Sequence, residues 1–280
     1  MSVAEEIKEL CRRYSGRRAV TELYVRPSPE VPFELGSELT YQALYDRTLR
    51  LIGFMDSLGL GPGERLAALM DNSADMVAGE WACLLGSYLW VGLNTRSSPL
   101  ELETILASAR PAVVLVGDRY RSMAEGLELP EGATVVMGDK ELEGLLSGAV
   151  PREGRAPGPN DPVRIRYTSG TAGQPKGAVL ARRCYDASLK AVSAVVAPIE
   201  EGDVLLQVAP MTHASGAMLL PHALAGVPMV TMDRFEVGAF IDVVEHFQVT
   251  AVFLVPTMLV RLLEAGADLA RLSSLRTVVY

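Results

Sequence analysis

Tyr167-Thr-Ser-Gly-Thr-Ala-Gly-Gln-Pro-Lys-Gly177 places three aliphatic hydroxyls (Thr168, Ser169, Thr171), three glycines (Gly170, Gly173, Gly177) and one lysine (Lys176) within eleven residues. The preceding segment, Pro162-Val-Arg-Ile-Arg-Tyr167, alternates apolar and charged residues as a half-buried strand does. The following segment, Ala178-Val-Leu180, reads as the start of a second strand. A loop of glycines and hydroxyls between two strands turns several N–H and O–H donors toward one anion, and lysine adds a point charge. This is chemistry suited to holding a polyphosphate.

Two rival readings of the stretch differ in how they handle its end. A plain surface hairpin uses the same residue types, because Gly, Ser and Thr are common in turns; the closing Pro175-Lys176-Gly177 sets this loop apart. The Walker A loop needs glycine before its lysine and serine or threonine after it. Here the neighbours are Pro175 and Gly177, and the pattern is strand-loop-strand, without a helix N-terminus to receive phosphate.

Outward from the loop, helical and strand periods alternate. Residues 3–14 and 40–58 read as amphipathic helices, the second capped by Thr40. Arg65 to Met70 is strand-like, 73–89 a mostly buried helix, Leu100 to Ala109 a helix, and Pro111 to Val116 a continuous apolar strand. A short strand at 135–137 and a short helix from Asp139 to Leu146 precede residues 151–162, a connector with four prolines in twelve residues. Beyond the loop the spacing predicts helices over 184–196, 218–225, 237–247 and 258–265, and strands over 204–208, 228–232 and 251–255. Strands alternating with helices of this length predict an α/β fold with largely parallel, buried sheets flanked by helices. Ligands in such sheets collect at the carboxyl ends of strands, where both the Thr168–Lys176 loop and the Thr212-His213 turn fall.

The loop resembles the phosphate-binding signature of the adenylate-forming superfamily, Tyr-Thr-Ser-Gly-Thr-Thr-Gly-x-Pro-Lys-Gly, and departs from it only at Ala172. Further segments resemble the same family's acyl-CoA synthetase branch. They include Thr40-Tyr-Gln-Ala-Leu44, Leu58 to Leu66, Pro210-Met-Thr-His-Ala-Ser-Gly216, Val255-Pro-Thr-Met-Leu259 and Leu275-Arg-Thr-Val-Val279. A second departure is Ala181-Arg-Arg-Cys-Tyr185, where family members often carry a Ser-His-x-Asn type segment.

The resemblance implies an ATP-dependent acyl- or aryl-CoA ligase, with ATP, magnesium and coenzyme A as its cofactors and a small carboxylic acid as substrate. It assigns Thr168, Ser169, Gly170, Thr171, Gly173 and Lys176 to the β/γ-phosphates and His213 to the carboxylate site. It also implies that residues 1–280 are the N-terminal part of the large domain, a truncated form of the fold. The adenine-binding and magnesium-binding segments and the C-terminal domain with the adenylation lysine are not found in this sequence. No catalytic residue or metal ligand is therefore assigned, and the chain alone is expected to be inactive. Two alternatives stay open: a peptide-synthetase-type adenylation domain, and a shortened non-catalytic binding or interaction protein that keeps the fold.

Composition sets the remaining expectations. A net charge of −8 argues against nucleic acid as a partner, which requires a basic footprint. Cys11, Cys83 and Cys184 form neither a disulfide framework nor a metal spacing. Met1-Ser-Val-Ala-Glu-Glu6 lacks the features of a signal peptide, so the expected location is cytoplasmic. The nineteen residues Ala214 to Met232 carry no formal charge, yet Pro221, Gly226 and Pro228 break them into a helix, a turn and a strand, and no integral membrane span is expected. If the second sheet lacks strands, its exposed apolar edge predicts a homodimer or aggregation. His222 receives no role, and His246 is placed at a helix C-terminus, where the dipole favours it.

Overall fold

The computed structural model describes residues 2–26, 28, 30–168, 175–196, 198–266 and 268–280. In chain order the elements begin α1 (Val3–Arg13), β1 (Arg18–Val25), β2 (Phe33–Thr40), α2 (Tyr41–Ser57), β3 (Arg65–Leu69), α3 (Ala74–Gly86), β4 (Leu89–Gly92) and α4 (Pro99–Ala109). They continue β5 (Val113–Val116), α5 (Arg121–Glu125), β6 (Thr134–Met137), α6 (Asp139–Gly148), β7 (Pro162–Thr168), β8 (Lys176–Ala181) and α7 (Arg182–Val196). The last are β9 (Leu205–Gln207), α8 (Leu219–Leu224), β10 (Met229–Met232), α9 (Val237–Phe247), β11 (Ala251–Phe253), α10 (Pro256–Glu264) and β12 (Thr277–Val279).

These elements form two compact units. The first comprises Met1–Glu5, Tyr45–Asp71 and Asp75–Ala187, the second Glu6–Leu44, Asn72–Ala74 and Ser188–Tyr280. Each holds a six-stranded sheet, ordered β6-β5-β3-β4-β7-β8 in the first and β12-β11-β9-β10-β1-β2 in the second. In each, five strands run parallel and the sixth, β8 or β2, pairs antiparallel at one edge. Substituting β9, β10, β11, β12, β1 and β2 for β3 to β8 turns one order into the other, so the two sheets repeat one topology.

The expected α/β class with largely parallel sheets is the observed one. Val113–Val116 and Met229–Met232 are buried along their whole length, as strands covered on both faces must be. Leu69, Val91, Leu106, Val114 and Val116 lie in the core of the first unit. Leu23, Leu206, Val230, Phe240, Val244 and Val252 lie in the core of the second. Helix starts follow local chemistry. Thr40 Oγ1 accepts the Ala43 N–H at 3.2 Å, as expected for the cap of α2. Ser98 and Glu101 form a capping box on α4, with Pro99 in the first turn.

Several elements differ from the sequence expectation. The helix expected over 73–89 stops at Gly86, because Ser87 adopts a left-handed φ of 58° and the chain turns into β4. Ser87 is held there by its carbonyl, which accepts the Gly63 N–H at 2.8 Å, and by its hydroxyl, which donates to the Arg155 carbonyl at 2.7 Å. Strands β1 and β2 are additional to those expected; β2 is exposed along most of its length, although Phe33, Leu35 and Leu39 alternate with Glu34, Glu38 and Thr40.

Residues 151–161 form neither helix nor strand, but they are fastened at several points. Arg152 N–H donates to Leu49 O at 3.0 Å, its guanidinium pairs with Asp56 at 3.1 Å, and Tyr45 donates to Glu153 at 2.8 Å. The uncharged stretch after His213 resolves into a short 3₁₀ turn, α8, a turn at Gly226 and β10. Pro221 is the third residue of α8, where a missing N–H leaves no intrahelical bond unmade. Among the described residues, no helix is long and apolar enough to cross a membrane.

Candidate functional site

The signature loop springs from a hairpin in the first unit. Strand β7 runs parallel to β4, so Thr168 stands at the carboxyl end of the parallel strands. Strand β8 returns antiparallel with Tyr167 opposite Gly177 and Thr168 opposite Lys176. Directly opposed residues of an antiparallel pair have Cβ atoms about 4.5–5.5 Å apart. Thr168 and Lys176 are therefore brought together, both exposed, at the mouth of the hairpin. Ser169, Gly170, Thr171 and Gly173 lie outside the described residues.

The two faces of the hairpin do different things. On one, Ile165 and Tyr167 pack against the core, and the Tyr167 hydroxyl bonds the Ser108 hydroxyl on α4 at 3.0 Å. The Tyr167 ring lies across Gly177, where an added Cβ would stand 2.9 Å from the ring and 3.0 Å from Ile165 Cγ2. Glycine is required there by space. Gly177→Val is expected to lift the ring away from α4 and to lower stability by about 1–3 kcal/mol in urea titration. An unchanged midpoint would show that this contact does not hold the hairpin.

On the opposite face stand Arg164, Arg166 and Thr168, in register with Leu180, Ala178 and Lys176. On this strand, whose alternation reads as half-buried, Arg164 is only 8% exposed. It pairs with Glu80 of α3 at 2.5 Å, and Tyr185 of α7 donates its hydroxyl to the same carboxylate at 2.8 Å. The Arg164 guanidinium also sits 5.7 Å from the centre of the Tyr185 ring. Burial works against the Arg164 charge, but Glu80, foremost among its neighbours, lifts its pKa above the ordinary arginine value. Burial, and then Glu80, push the Tyr185 hydroxyl well up. The divergent Ala181-Arg-Arg-Cys-Tyr185 segment thus supplies a structural partner for this ion pair. It also ties the connector to α7, since the Arg182 and Arg183 N–H groups donate to Asp161 O and Pro159 O, both at 2.9 Å.

Arg166 was missed as a candidate. It is half-buried, and burial, then the neighbouring Arg164, lower its pKa. The signal was present in the sequence as two arginines alternating into a strand next to a phosphate-type loop, but it reads equally well as a solvated face.

His213 belongs to the second unit, where it is exposed and immediately precedes the 3₁₀ turn Ala214–Met218. The segment around it is rigidly built. Asn72 donates to the Gln207 and Ala209 carbonyls at 3.1 and 3.0 Å and accepts the Met211 N–H at 2.9 Å. The buried Ser215 hydroxyl lies 2.9 and 2.8 Å from the Ala209 and Pro210 carbonyls. At Gly216 an added Cβ would meet the Met211 carbonyl oxygen at 2.1 Å, so only glycine lets the chain fold back so tightly at this point. His222 is buried, its Nδ1 bonded to Met218 O at 2.7 Å, and burial draws its pKa down. This is a structural setting. His246 lies in the last turn of α9 and packs edge-on against Phe33 and Phe247.

Comparison with known proteins converges on one class. A family profile described as AMP-binding enzyme matches residues 7–280. This chain belongs to the AMP-binding enzyme family, the adenylate-forming enzymes. It is 29% identical over 255 residues to indoleacetate–CoA ligase of Aromatoleum aromaticum, covering 86% of this chain and 49% of that protein. It is 27% identical to the fatty acid–[acyl-carrier-protein] ligase ScoC of Streptomyces coeruleorubidus, covering 93% of this chain and 52% of that protein. The chain thus spans about half the length of these curated relatives. In architecture it is similar to the inhibitor-bound N-terminal domain of FACL13 from Mycobacterium tuberculosis. The TM-score is 0.84 at 22% identity, covering 99% of this chain and 69% of that one.

Proposed function

We propose that this chain supplies the polyphosphate-binding part of an ATP-dependent acyl- or aryl-CoA ligase. The observation that carries the reading is the register of the β7–β8 hairpin. It sets Thr168 directly opposite Lys176 at the carboxyl end of a parallel sheet, the end where such folds bind ligands.

In the proposed reaction a carboxylate oxygen attacks the α-phosphorus of ATP and the α–β bridging oxygen leaves with pyrophosphate. The sulfur of coenzyme A then attacks the acyl carbon, releasing AMP and yielding the thioester. Lys176 and Thr168, with Ser169 and Thr171, hold the β- and γ-phosphates and neutralise the charge that accumulates on the leaving pyrophosphate. Gly170 and Gly173 let the backbone close on those oxygens. His213, at the carboxyl side of β9, borders the site of the acid. Magnesium enters with the nucleotide, and no ligand for it is assigned in this chain.

The substrate class rests on family membership, since relatives named for an aryl acetate and for a fatty acid match this chain about equally well. Carboxylate-dependent exchange of labelled pyrophosphate into ATP tests the reading, using the protein that carries this chain and a panel of aryl and fatty acids. Exchange that requires both ATP and one class of acid is the expected result. ATP turnover indifferent to every acid would refute it.

A further inference from the structure

We propose that Arg166 is a second cation for the polyphosphate, reaching along the hairpin stem to an anion held between Thr168 and Lys176; this rests on the reading of the hairpin mouth given above. Arg164, Arg166 and Thr168 are alternate residues of β7 and share one face. Two residues of strand span about 7 Å, within the compass of an arginine side chain. The residue opposite Arg166 is Ala178, so no long side chain on β8 stands between the guanidinium and Lys176. The other direction along the same face is occupied by Arg164, engaged with Glu80 and Tyr185.

Arg166 lacks the carboxylate partner that several arginines of the first unit have. Arg47 pairs with Asp75, Arg152 with Asp56, Arg164 with Glu80 and Arg182 with Asp186. Among the described residues Arg166 makes no ion pair, and its Nε, screened from solvent, has no hydrogen-bond partner, as is also true of one guanidinium nitrogen each in Arg164 and Arg182. A shielded donor without an acceptor, beside a second guanidinium, destabilises the free protein. Burial and the neighbouring Arg164 act against its charge, and Glu80 and Tyr185 only partly offset them. A phosphate oxygen at the hairpin mouth supplies an acceptor that the described residues do not, and the planar guanidinium fork suits two such oxygens at once.

Equilibrium dialysis of labelled pyrophosphate against the protein that carries this chain, with Arg166→Gln, Arg166→Lys and Lys176→Ala, tests this, alongside melting curves of each ligand-free protein. Arg166→Gln is expected to weaken pyrophosphate binding about tenfold and to flatten its dependence on salt. Its ligand-free melting temperature should equal or exceed that of the parent, because an unmatched cation has been removed. Arg166→Lys should recover part of the affinity, keeping the charge without the fork. If Arg166→Gln binds pyrophosphate as the parent does while Lys176→Ala does not, Arg166 has no part in the site and the hairpin reading stands. A lower melting temperature with unchanged affinity would make Arg166 a purely structural residue and overturn the proposal. If the parent chain binds no pyrophosphate, both the proposal and the reading beneath it fail.

Discussion

Glu80→Ala is expected to lower the unfolding free energy by about 3–5 kcal/mol, the largest stability loss in this part of the fold. Glu80 and Arg164 are 8% exposed each, and their 2.5 Å contact is the only ion pair of Arg164 among the described residues. Removing the carboxylate leaves a guanidinium in the interior without a counter-charge and strips the Tyr185 hydroxyl of its acceptor. The loss comes from the uncompensated charge. Replacing the pair together, Glu80→Leu with Arg164→Met, should therefore recover most of the stability. Urea titrations of the single and double variants read this directly. A single variant within about 1 kcal/mol of the parent would mean that Arg164 finds solvent or another partner, and that the ion pair does not anchor β7.

Lys176→Ala carries the largest expected functional effect. Pyrophosphate exchange should fall about 10²–10³-fold, the range seen when one preorganised charge-stabilising donor is removed from an active site. Lys176→Arg should restore only part of the loss, since a planar fork does not reproduce a compact ammonium. Lys176 is exposed, so the variant's melting temperature should match the parent's and separate lost charge from lost fold. Exchange at the parental rate in Lys176→Ala would remove the hairpin mouth from the chemistry.

Much of the fold was legible because parallel strands buried on both faces leave continuous apolar runs, as Pro111 to Val116 does, and helices leave capped periodic ones, as 40–58 does. Two things escaped. Edge strand β2 is short of apolar residues, with only Phe33, Leu35 and Leu39 alternating along an exposed stretch, and its pairing with β1 is a tertiary fact. The repeated strand order of the two sheets was also invisible, because topology is preserved by connection order and needs no recurring residues. At the candidate site the loop announced itself through residue types, and the register adds that Thr168 and Lys176 face each other across the stem. The burial of Arg164 is not legible in the alternation of β7. Alternation predicts that arginines face water, and only the position of Glu80, on a helix 84 residues earlier, turns Arg164 inward.

The most direct measurement is the position of the phosphates in crystals of this chain soaked with ATP. The account predicts β- and γ-phosphate oxygens about 2.7–3.1 Å from Lys176 Nζ and Thr168 Oγ1, at the open end of the β7–β8 hairpin. A triphosphate bound on any other surface, with the hairpin mouth empty at saturating nucleotide, would contradict it.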